Sequence, residues 1–151
     1  MLHIALFQPE IPPNTGNIIR LCANTESVLH LIHPLGFLLH DKKMRRAGLD
    51  YHEWTNIYHY QDFDEFIIKN NDKRIFACTT KTQNSYSSVK YKDEDMFLFG
   101  PETRGLPTDV INNYTSIRIP MRNNSRSLNL SNAVAIILFE ALRQLDFFEN
   151  K

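Results

Sequence analysis

The most informative segment of this chain is Ser125-Arg126-Ser127-Leu128-Asn129-Leu130-Ser131-Asn132-Ala133-Val134. It connects a short apolar strand, predicted at residues 117–119, to a long apolar helix predicted at residues 131–147. Ser131 is a suitable N-cap for that helix, whose first N–H groups then point back toward the segment. Hydroxyl and amide side chains at this density, beside a helix this apolar, are typical of a loop that surrounds a polar ligand. We therefore predict a ligand-binding loop here.

Strand and helix signals alternate along the rest of the chain. The other predicted strands are residues 2–7, 29–33, 57–60, 74–78 and 96–99. The other predicted helices run from residue 14 or 15 to about residue 24, and over residues 41–47, 62–69 and 107–112. This alternation predicts an α/β fold, with a mainly parallel sheet and helices on both faces. At this length we expect a single domain, residues 1–151.

Composition excludes several classes of protein. With 42% hydrophobic and 23% charged residues, the chain is ordinary for a globular protein. We expect no membrane association, because no apolar run reaches the ~20 residues that span a bilayer. Residues 1–7 lack the layout of a signal peptide. Cys22 and Cys78 fall far apart in predicted regular elements, so we expect reduced core cysteines in a cytoplasmic protein.

Common cofactor and metal signatures are missing. The five glycines cannot form G-x-G-x-x-G, and Leu106 stands where the P-loop lysine would follow Gly100 and Gly105. His30 and His33 fall on opposite sides of a predicted strand, so they cannot share one ion and we expect no metal. A G-x-S-x-G nucleophile motif is also missing. These absences exclude the commonest nucleotide, metal and hydrolase sites.

Three polar blocks remain, each following a predicted strand. In the first, Asn14, Asn17 and Arg20 share roughly one helix face, where Arg20 can hold a phosphate near the helix start. The alternative is a capped helix with a solvated arginine. The second block, residues 99–107, reads FGPETRGLP and follows an apolar strand, where open α/β sheets bind ligands. Its alternative is a tight turn.

The third block is the opening segment, with Arg122 before it and Arg126 near its start. These arginines can reach an anion or RNA, and the alternative is that they are simply solvated. Because the net charge of the chain is zero, RNA binding needs a local patch. The obvious patch is the basic cluster Lys42, Lys43, Arg45 and Arg46. Together the three blocks are expected to converge on one site.

With these blocks in view, the chain resembles the SPOUT-class RNA methyltransferases. Within that class it is similar to the tRNA (cytidine/uridine-34) 2′-O-methyltransferases, which act on the wobble ribose. The matching stretches are PEIPPNTGNIIRLCANT, DKKMRRAGLDYHEW, FGPETRGLP and RIPMxxxSRSLNLSNAVAIxxxEALRQL. The resemblance implies a C-terminal deep trefoil knot, a rare feature that periodicity cannot predict. It also implies a homodimer through the first and last helices, and Phe139 is our candidate interface residue.

The same resemblance implies the cofactor, the substrate and the site residues. The knot would bind S-adenosylmethionine, and the substrate would be the anticodon stem-loop of tRNA, with a pyrimidine at position 34, in leucine tRNAs. The implied cofactor-binding residues are Cys78, Thr79, Phe99, Gly100, Gly105, Ile119, Met121, Ser127 and Leu128. The implied catalytic residues are Arg20, Asn14, Glu102, Ser127 and Asn129. The expected RNA-binding residues are Lys42, Arg45, Arg46 and Arg122.

Arginine is a poor general base because its guanidinium keeps its protons in proteins. We therefore expect Arg20 to clamp a substrate phosphate and steer the ribose hydroxyl, while the phosphate, Ser127 or water takes the proton. Departures from the family pattern are Glu26, Thr82 and a short segment at residues 112–116. Two alternatives stay open: an RNA-binding module that has lost catalysis, and a methyltransferase that acts on a different RNA.

Overall fold

The computed structural model describes residues 1–39 and 56–149. Its strands are β1 (His3–Phe7), β2 (Val28–Ile32), β3 (Ile57–Tyr60), β4 (Ile75–Cys78), β5 (Met96–Phe99) and β6 (Thr115–Ile117). Its α-helices are α1 (Pro12–Asn24), α2 (Phe63–Lys69), α3 (Thr108–Asn113) and α4 (Leu130–Gln144). In these residues the strands form one sheet of order β3-β2-β1-β5-β4-β6, in which every neighbouring pair is parallel.

Helices cover both faces of the sheet, as predicted. On one face α1 and α4 pack against the strands through residues such as Ile18 and Val134. On the other face α2 and α3 contribute Phe66 and Val110. Strands β1, β2, β4 and β5 are buried along their whole length, as expected when both faces are covered. Each large apolar side chain buried this way contributes about 1.5–3 kcal/mol to stability. The predicted mainly parallel α/β fold is therefore confirmed.

The start of α1 differs from the prediction. The helix begins at Pro12, and its N-cap is Ile11 rather than Asn14 or Thr15. Proline suits the first helical turn, because its missing N–H has no partner there and its fixed φ already matches the helix. The two prolines therefore start the helix, and they place Asn14 and Thr15 as buried residues inside its first turn.

The ends of α4 also differ from the prediction. Asn129, not Ser131, is the N-cap: its Oδ1 accepts hydrogen bonds from the N–H groups of Ser131 at 2.9 Å and Asn132 at 3.3 Å. The helix ends at Gln144, because Asp146 and Phe147 have positive φ values of 60° and 53°. Outside the buried face of α4, Ile136 and Phe139 are 37% and 43% exposed, and they form a second apolar stripe on this helix.

The last strand also ends earlier than predicted. β6 ends at Ile117, and Arg118 beyond it forms only an isolated bridge with Ser85. The other described elements start and end within about one residue of the prediction, apart from the start of α1. The predicted helix at residues 41–47 lies outside the described residues. The trefoil knot and the single-domain assignment stay predictions.

The two cysteines lie in the core, as predicted, and Glu26 has an unusual backbone conformation. Cys22 and Cys78 are free and buried, and burial raises the pKa of the Cys22 thiol to about 12. A thiol with that pKa is a poor nucleophile at neutral pH. Glu26 has φ of 53°, in the left-handed region that glycine and asparagine adopt more easily than glutamate. In the described part of the chain, no helix has both the length and the apolar character needed to cross a membrane.

A chain of hydrogen bonds runs through the core beneath α2. Tyr60 Oη donates to His30 Nδ1 at 2.7 Å, His30 Nε2 donates to His3 Nδ1 at 2.9 Å, and His3 Nε2 donates to Glu94 at 2.5 Å. Asn70 donates to the Tyr60 oxygen at 3.2 Å. With these histidine tautomers, each ring nitrogen of His3 and His30 has a hydrogen-bond partner while both imidazoles are neutral. Burial and the neighbouring His3 lower the pKa of His30 from 6.5 to about 3.

The neutral state of His30 predicts a loss of stability in acid. His30 binds a proton near pH 6.5 in the unfolded chain but only near pH 3 in the folded chain. The free energy of unfolding is therefore unaffected by His30 above pH 6.5 and decreases as the pH falls below that value. From about pH 7.5 to about pH 5, protonation of this histidine in the unfolded chain should lower the free energy of unfolding by about 2 kcal/mol. In urea denaturation, His30→Gln should reduce the difference in unfolding free energy between these pH values by that amount. An unchanged difference would contradict this assignment.

Candidate active site at the carboxyl ends of the strands

A cavity of about 460 Å³ lies where β4, β5 and β6 end. Its walls are the residues that follow these strands, together with the start of α4 and Asn14 from α1. Open α/β sheets bind ligands at this edge, and pockets for small molecules have volumes of about 300–1,000 Å³. The position and size of the cavity therefore suit a ligand of cofactor size.

Every residue predicted to contact the cofactor lines this cavity. They come from four separate segments of the chain: Cys78 and Thr79; Phe99, Gly100 and Gly105; Ile119 and Met121; Ser127 and Leu128. Sequence reasoning missed the apolar residues Leu106, Ile117, Ala133 and Ile137, which also line it. Ala133 and Ile137 lie one helical turn apart on α4, so the helical period of that face could have identified them.

The loop at residues 99–106, called the Gly100 loop below, folds back on itself. A Cβ atom on Gly100 would lie 2.3 Å from both the carbonyl carbon of Gly105 and the nitrogen of Leu106. That distance is far inside van der Waals contact, so only glycine fits at this position. Gly105 has φ of +68°, and its N–H donates to the Pro101 carbonyl at 2.9 Å. Backbone groups can therefore approach a ligand here without a side chain between them.

Two glutamates join the Gly100 loop to the start of α1. Glu102 Oε2 accepts the N–H of Glu10 at 2.7 Å, and its Oε1 accepts the N–H of Ile11 at 3.2 Å. In return, Glu10 Oε1 accepts the N–H of Thr103 at 3.0 Å and its hydroxyl at 2.8 Å. These contacts with Thr103 hold the pKa of the Glu10 carboxyl below its usual value. We call this reciprocal arrangement the carboxylate clasp.

A pair of asparagines joins the other side of the cavity. Asn129 Nδ2 donates to Asn14 Oδ1 at 3.0 Å, while Asn129 Oδ1 is occupied by the N–H groups at the start of α4. Because Asn129 Oδ1 must face α4, Asn14 must present its oxygen to Asn129. The amide nitrogen of Asn14 is then the hydrogen-bond donor of that side chain, and Asn14 is one of the residues that line the cavity. The two asparagines thus connect α1 to α4 and orient each other.

The structure does not test the roles predicted for the basic residues. Arg20 and Arg122 are both exposed, and neither is among the described residues that line the cavity. The predicted RNA-binding residues Lys42, Arg45 and Arg46, with Lys43, lie outside the described residues. The catalytic role of Arg20 and the RNA-binding role of Arg122 therefore stay predictions. Asn14, Glu102, Ser127 and Asn129 do line the cavity.

Three cations at the cavity were missed: Lys81, Arg104 and Arg118. The Arg118 guanidinium donates to the Thr82 carbonyl at 3.3 Å, whereas its Nε is buried without a hydrogen-bond partner among the described residues. An unpaired buried donor costs free energy, so it marks a place where an acceptor is wanted. Arg104 lies within the quoted FGPETRGLP block and could have been recognised there.

Comparison with known proteins supplies the family. Residues 1–139 match the family model described as the SpoU rRNA Methylase family. The tRNA (cytidine(34)-2'-O)-methyltransferase of Escherichia coli strain K12 is 54% identical over 150 residues, covering 97% of this chain and 96% of that protein. A solved structure that addresses the 2-OH methylation of C/U34 on tRNA is 43% identical, with a TM-score of 0.91 and 97% of each chain covered.

A more distant solved structure is the AdoMet-bound rRNA methyltransferase from Sinorhizobium meliloti. It is 26% identical with a TM-score of 0.84, and the match covers 95% of this chain and 56% of that chain. The predicted resemblance is confirmed by the family match and by the high identity of the relatives. On that basis, this chain belongs to the SpoU methylase family.

Proposed function

We propose that this protein methylates the 2′-hydroxyl of nucleotide 34 in tRNA, with S-adenosylmethionine as the methyl donor. The observation that carries the proposal is the cavity, where every residue predicted for the cofactor meets Asn14 of α1. It is supported by relatives of this chain named tRNA (cytidine(34)-2'-O)-methyltransferase, which match over nearly its whole length. We propose the anticodon stem-loop as the RNA element and leucine tRNAs as the substrates.

The residues present fit the proposed cofactor. Gly100 leaves backbone groups open to a ligand, and the apolar wall of Ile117, Ala133 and Ile137 suits an adenine ring. Arg118 lines the cavity, its Nε has no hydrogen-bond partner among the described residues, and a guanidinium suits the carboxylate of the cofactor. We propose that backbone groups of Cys78, Gly100, Ile119 and Ser127 hold the cofactor, and that Thr79, Phe99, Gly105, Met121 and Leu128 complete the pocket.

The protein's part in the reaction is to position the substrate hydroxyl beside the methyl donor. When bound, S-adenosylmethionine would supply the methyl group from its positively charged sulfur: the carbon–sulfur bond would break to leave a neutral thioether, and the ribose oxygen that gains the methyl group would lose its proton. Asn14 offers an N–H donor at the cavity wall, oriented by Asn129, and the Ser127 hydroxyl lies at the same wall. We propose that these groups orient the hydroxyl, while the substrate phosphate, Ser127 or water receives the proton.

We propose that Arg20 clamps the phosphate next to the reacting ribose. It lies on the exposed side of α1, the helix that brings Asn14 to the cavity. A guanidinium binds phosphate through two parallel hydrogen bonds, which fixes the orientation of the nucleotide as well as its position. Because the net charge of the chain is zero, attraction to RNA must come from local clusters of cations. We propose that other phosphates of the stem-loop are bound by Lys42, Arg45, Arg46 and Arg122.

We also propose that the protein is a homodimer and acts in the cytoplasm. The second apolar stripe of α4, with Ile136 and Phe139, is exposed in the single chain. Large exposed apolar side chains on one helix face are typical of protein interfaces. Helix α1 packs beside α4 in the same layer, so both can contribute to a common interface. A second copy of this chain would cover the stripe.

Substitution of Gly100 tests the proposed cofactor site. Gly100→Ala places a Cβ 2.3 Å from two backbone atoms, so the loop must move and S-adenosylhomocysteine should bind at least about tenfold more weakly. Gly105→Ala is the matched control, because a Cβ there meets nothing within 4 Å and only its positive φ adds strain. Isothermal titration should therefore find a smaller loss for Gly105→Ala. Equal affinity for wild type and Gly100→Ala would contradict the proposed site.

The direct test of the reaction is methyl transfer from labelled S-adenosylmethionine into tRNA from a strain that lacks the activity. We expect label on the ribose of nucleotide 34, identified by mapping the modified nucleotide. Label on another nucleotide would favour the alternative RNA substrate. Cofactor binding without any transfer would favour the binding-module alternative.

Arg20 variants in the same assay test the phosphate clamp. Arg20→Ala should lower the rate at least about 100-fold, and Arg20→Lys about tenfold, because an ammonium cannot form the paired contact. Both variants should keep the wild-type affinity for S-adenosylhomocysteine. Lys69→Ala removes an exposed cation from α2 and is the control. Near-full activity of Arg20→Lys would rule out the clamp.

Light scattering tests the proposed dimer. Phe139→Glu should raise the dissociation constant of the dimer at least about tenfold, because a carboxylate would be buried in an apolar interface. Ile68→Glu is the control, since Ile68 is 71% exposed on α2 at the opposite face of the sheet. A Phe139→Glu protein with unchanged mass in solution would exclude this face as the interface.

A further inference from the structure

The carboxylate clasp connects two segments that no short stretch of chain holds together. One is the Gly100 loop, which forms part of the cavity wall, and the other is the start of α1, which brings Asn14 to that wall. Glu102 receives the backbone N–H groups of Glu10 and Ile11, and Glu10 receives the N–H and hydroxyl of Thr103. Four hydrogen bonds to two carboxylates therefore join the two sides of the cavity, and Arg104 of the loop also donates to Gln8 Oε1 at 3.3 Å.

The backbone at Glu10 is fixed from a third direction as well. After β2, the N–H of Gly36 donates to the Pro9 carbonyl at 2.9 Å, and a Cβ on Gly36 would lie 2.9 Å from the Glu10 Cα. The segment before α1 is thus packed so closely that only glycine fits beside it. Because the backbone at Glu10 is held in place, the two hydrogen bonds from Thr103 to the Glu10 carboxylate also restrict the movement of Thr103.

We propose that Glu10 is a positioning residue for methyl transfer: through Thr103 it sets the distance between the Gly100 loop and the Asn14 side of the cavity. The inference rests on the proposed function and adds to it a residue outside the cavity wall. Glu10 does not touch the cavity itself, so its effect reaches the reaction through the loop. Misplacement of reacting groups by about 1 Å can lower a rate about 100-fold.

Substitution by glutamine should have different effects at Glu10 and at Glu102. Glu10 uses one oxygen, Oε1, for both contacts with Thr103, so a glutamine can keep both through its single carbonyl oxygen. Glu102 uses one oxygen for each of two N–H groups, so a glutamine there must turn an NH₂ group toward a donor. A role in hydrogen bonding therefore predicts that glutamine is tolerated at Glu10 and harmful at Glu102. A role for the charge would make both substitutions harmful.

Steady-state methylation of tRNA, combined with titration of S-adenosylhomocysteine, tests this role. Glu10→Ala should lower kcat at least about tenfold, while the dissociation constant of S-adenosylhomocysteine changes less than about threefold. Glu10→Gln should restore kcat to within about threefold of wild type. Thr103→Val, which keeps the N–H and loses the hydroxyl, should fall between them. Asp64→Ala is the control, because it removes an exposed carboxylate from α2, away from the cavity.

Hydrogen exchange provides a readout that needs no activity. If the clasp joins the two segments, Glu10→Ala should speed exchange in peptides covering both residues 8–14 and residues 99–106, and Glu10→Gln should not. Unchanged exchange in Glu10→Ala, equal loss of kcat in Glu10→Gln, or cofactor affinity that falls in step with kcat would each overturn the inference. Failure of the proposed function is distinct: the wild-type protein would then bind S-adenosylhomocysteine but transfer no methyl group to tRNA.

Discussion

The structure of the candidate site depends on the close approach of two backbone segments at Gly100. The carbonyl carbon of Gly105 and the nitrogen of Leu106 occupy the space that any Cβ would need. This contact closes the Gly100 loop, and the closed loop presents Glu102 to the backbone of Glu10 and Ile11. The steric constraint at the end of β5 therefore shapes one wall of the cavity and adds to the contacts that hold the start of α1.

Helix ends supply the other half of the site. Asn129 satisfies the first N–H groups of α4 with its oxygen and holds Asn14 of α1 with its nitrogen. A capping interaction that stabilises a helix by about 1 kcal/mol thereby also orients a donor at the cavity wall. The same residues serve stability and function, so substitution of Asn129 should affect both α4 and the orientation of Asn14.

The sequence predicted the fold well because its strongest signals are local. Short apolar runs bounded by prolines, glycines and polar residues identified the strands, and the apolar stripe of α4 identified the longest helix. Element ends were less predictable. Competition between two adequate caps, such as Asn129 and Ser131, is decided by contacts from elsewhere in the chain, here from Asn14.

The site was only partly predictable for the same reason. The matching motifs identified the residues that line the cavity, but the partners of Glu10 lie more than 90 residues away and follow no sequence rule. Arg118 likewise looks like an ordinary strand-end arginine in the sequence, because only the structure shows that its Nε is buried without a partner in the described part of the chain. Contacts between distant segments, rather than the types of the residues, determine these roles.

The central claim is that the methyl donor binds between the Gly100 loop and the start of α4, beside Asn14. The most direct measurement is a crystal structure of the protein with S-adenosylhomocysteine bound. We expect density for the ligand in this cavity, in contact with backbone groups of Gly100 and Ser127 and with an acceptor for Arg118 Nε. Density for the ligand at another place, with this cavity still holding only solvent, would contradict the claim.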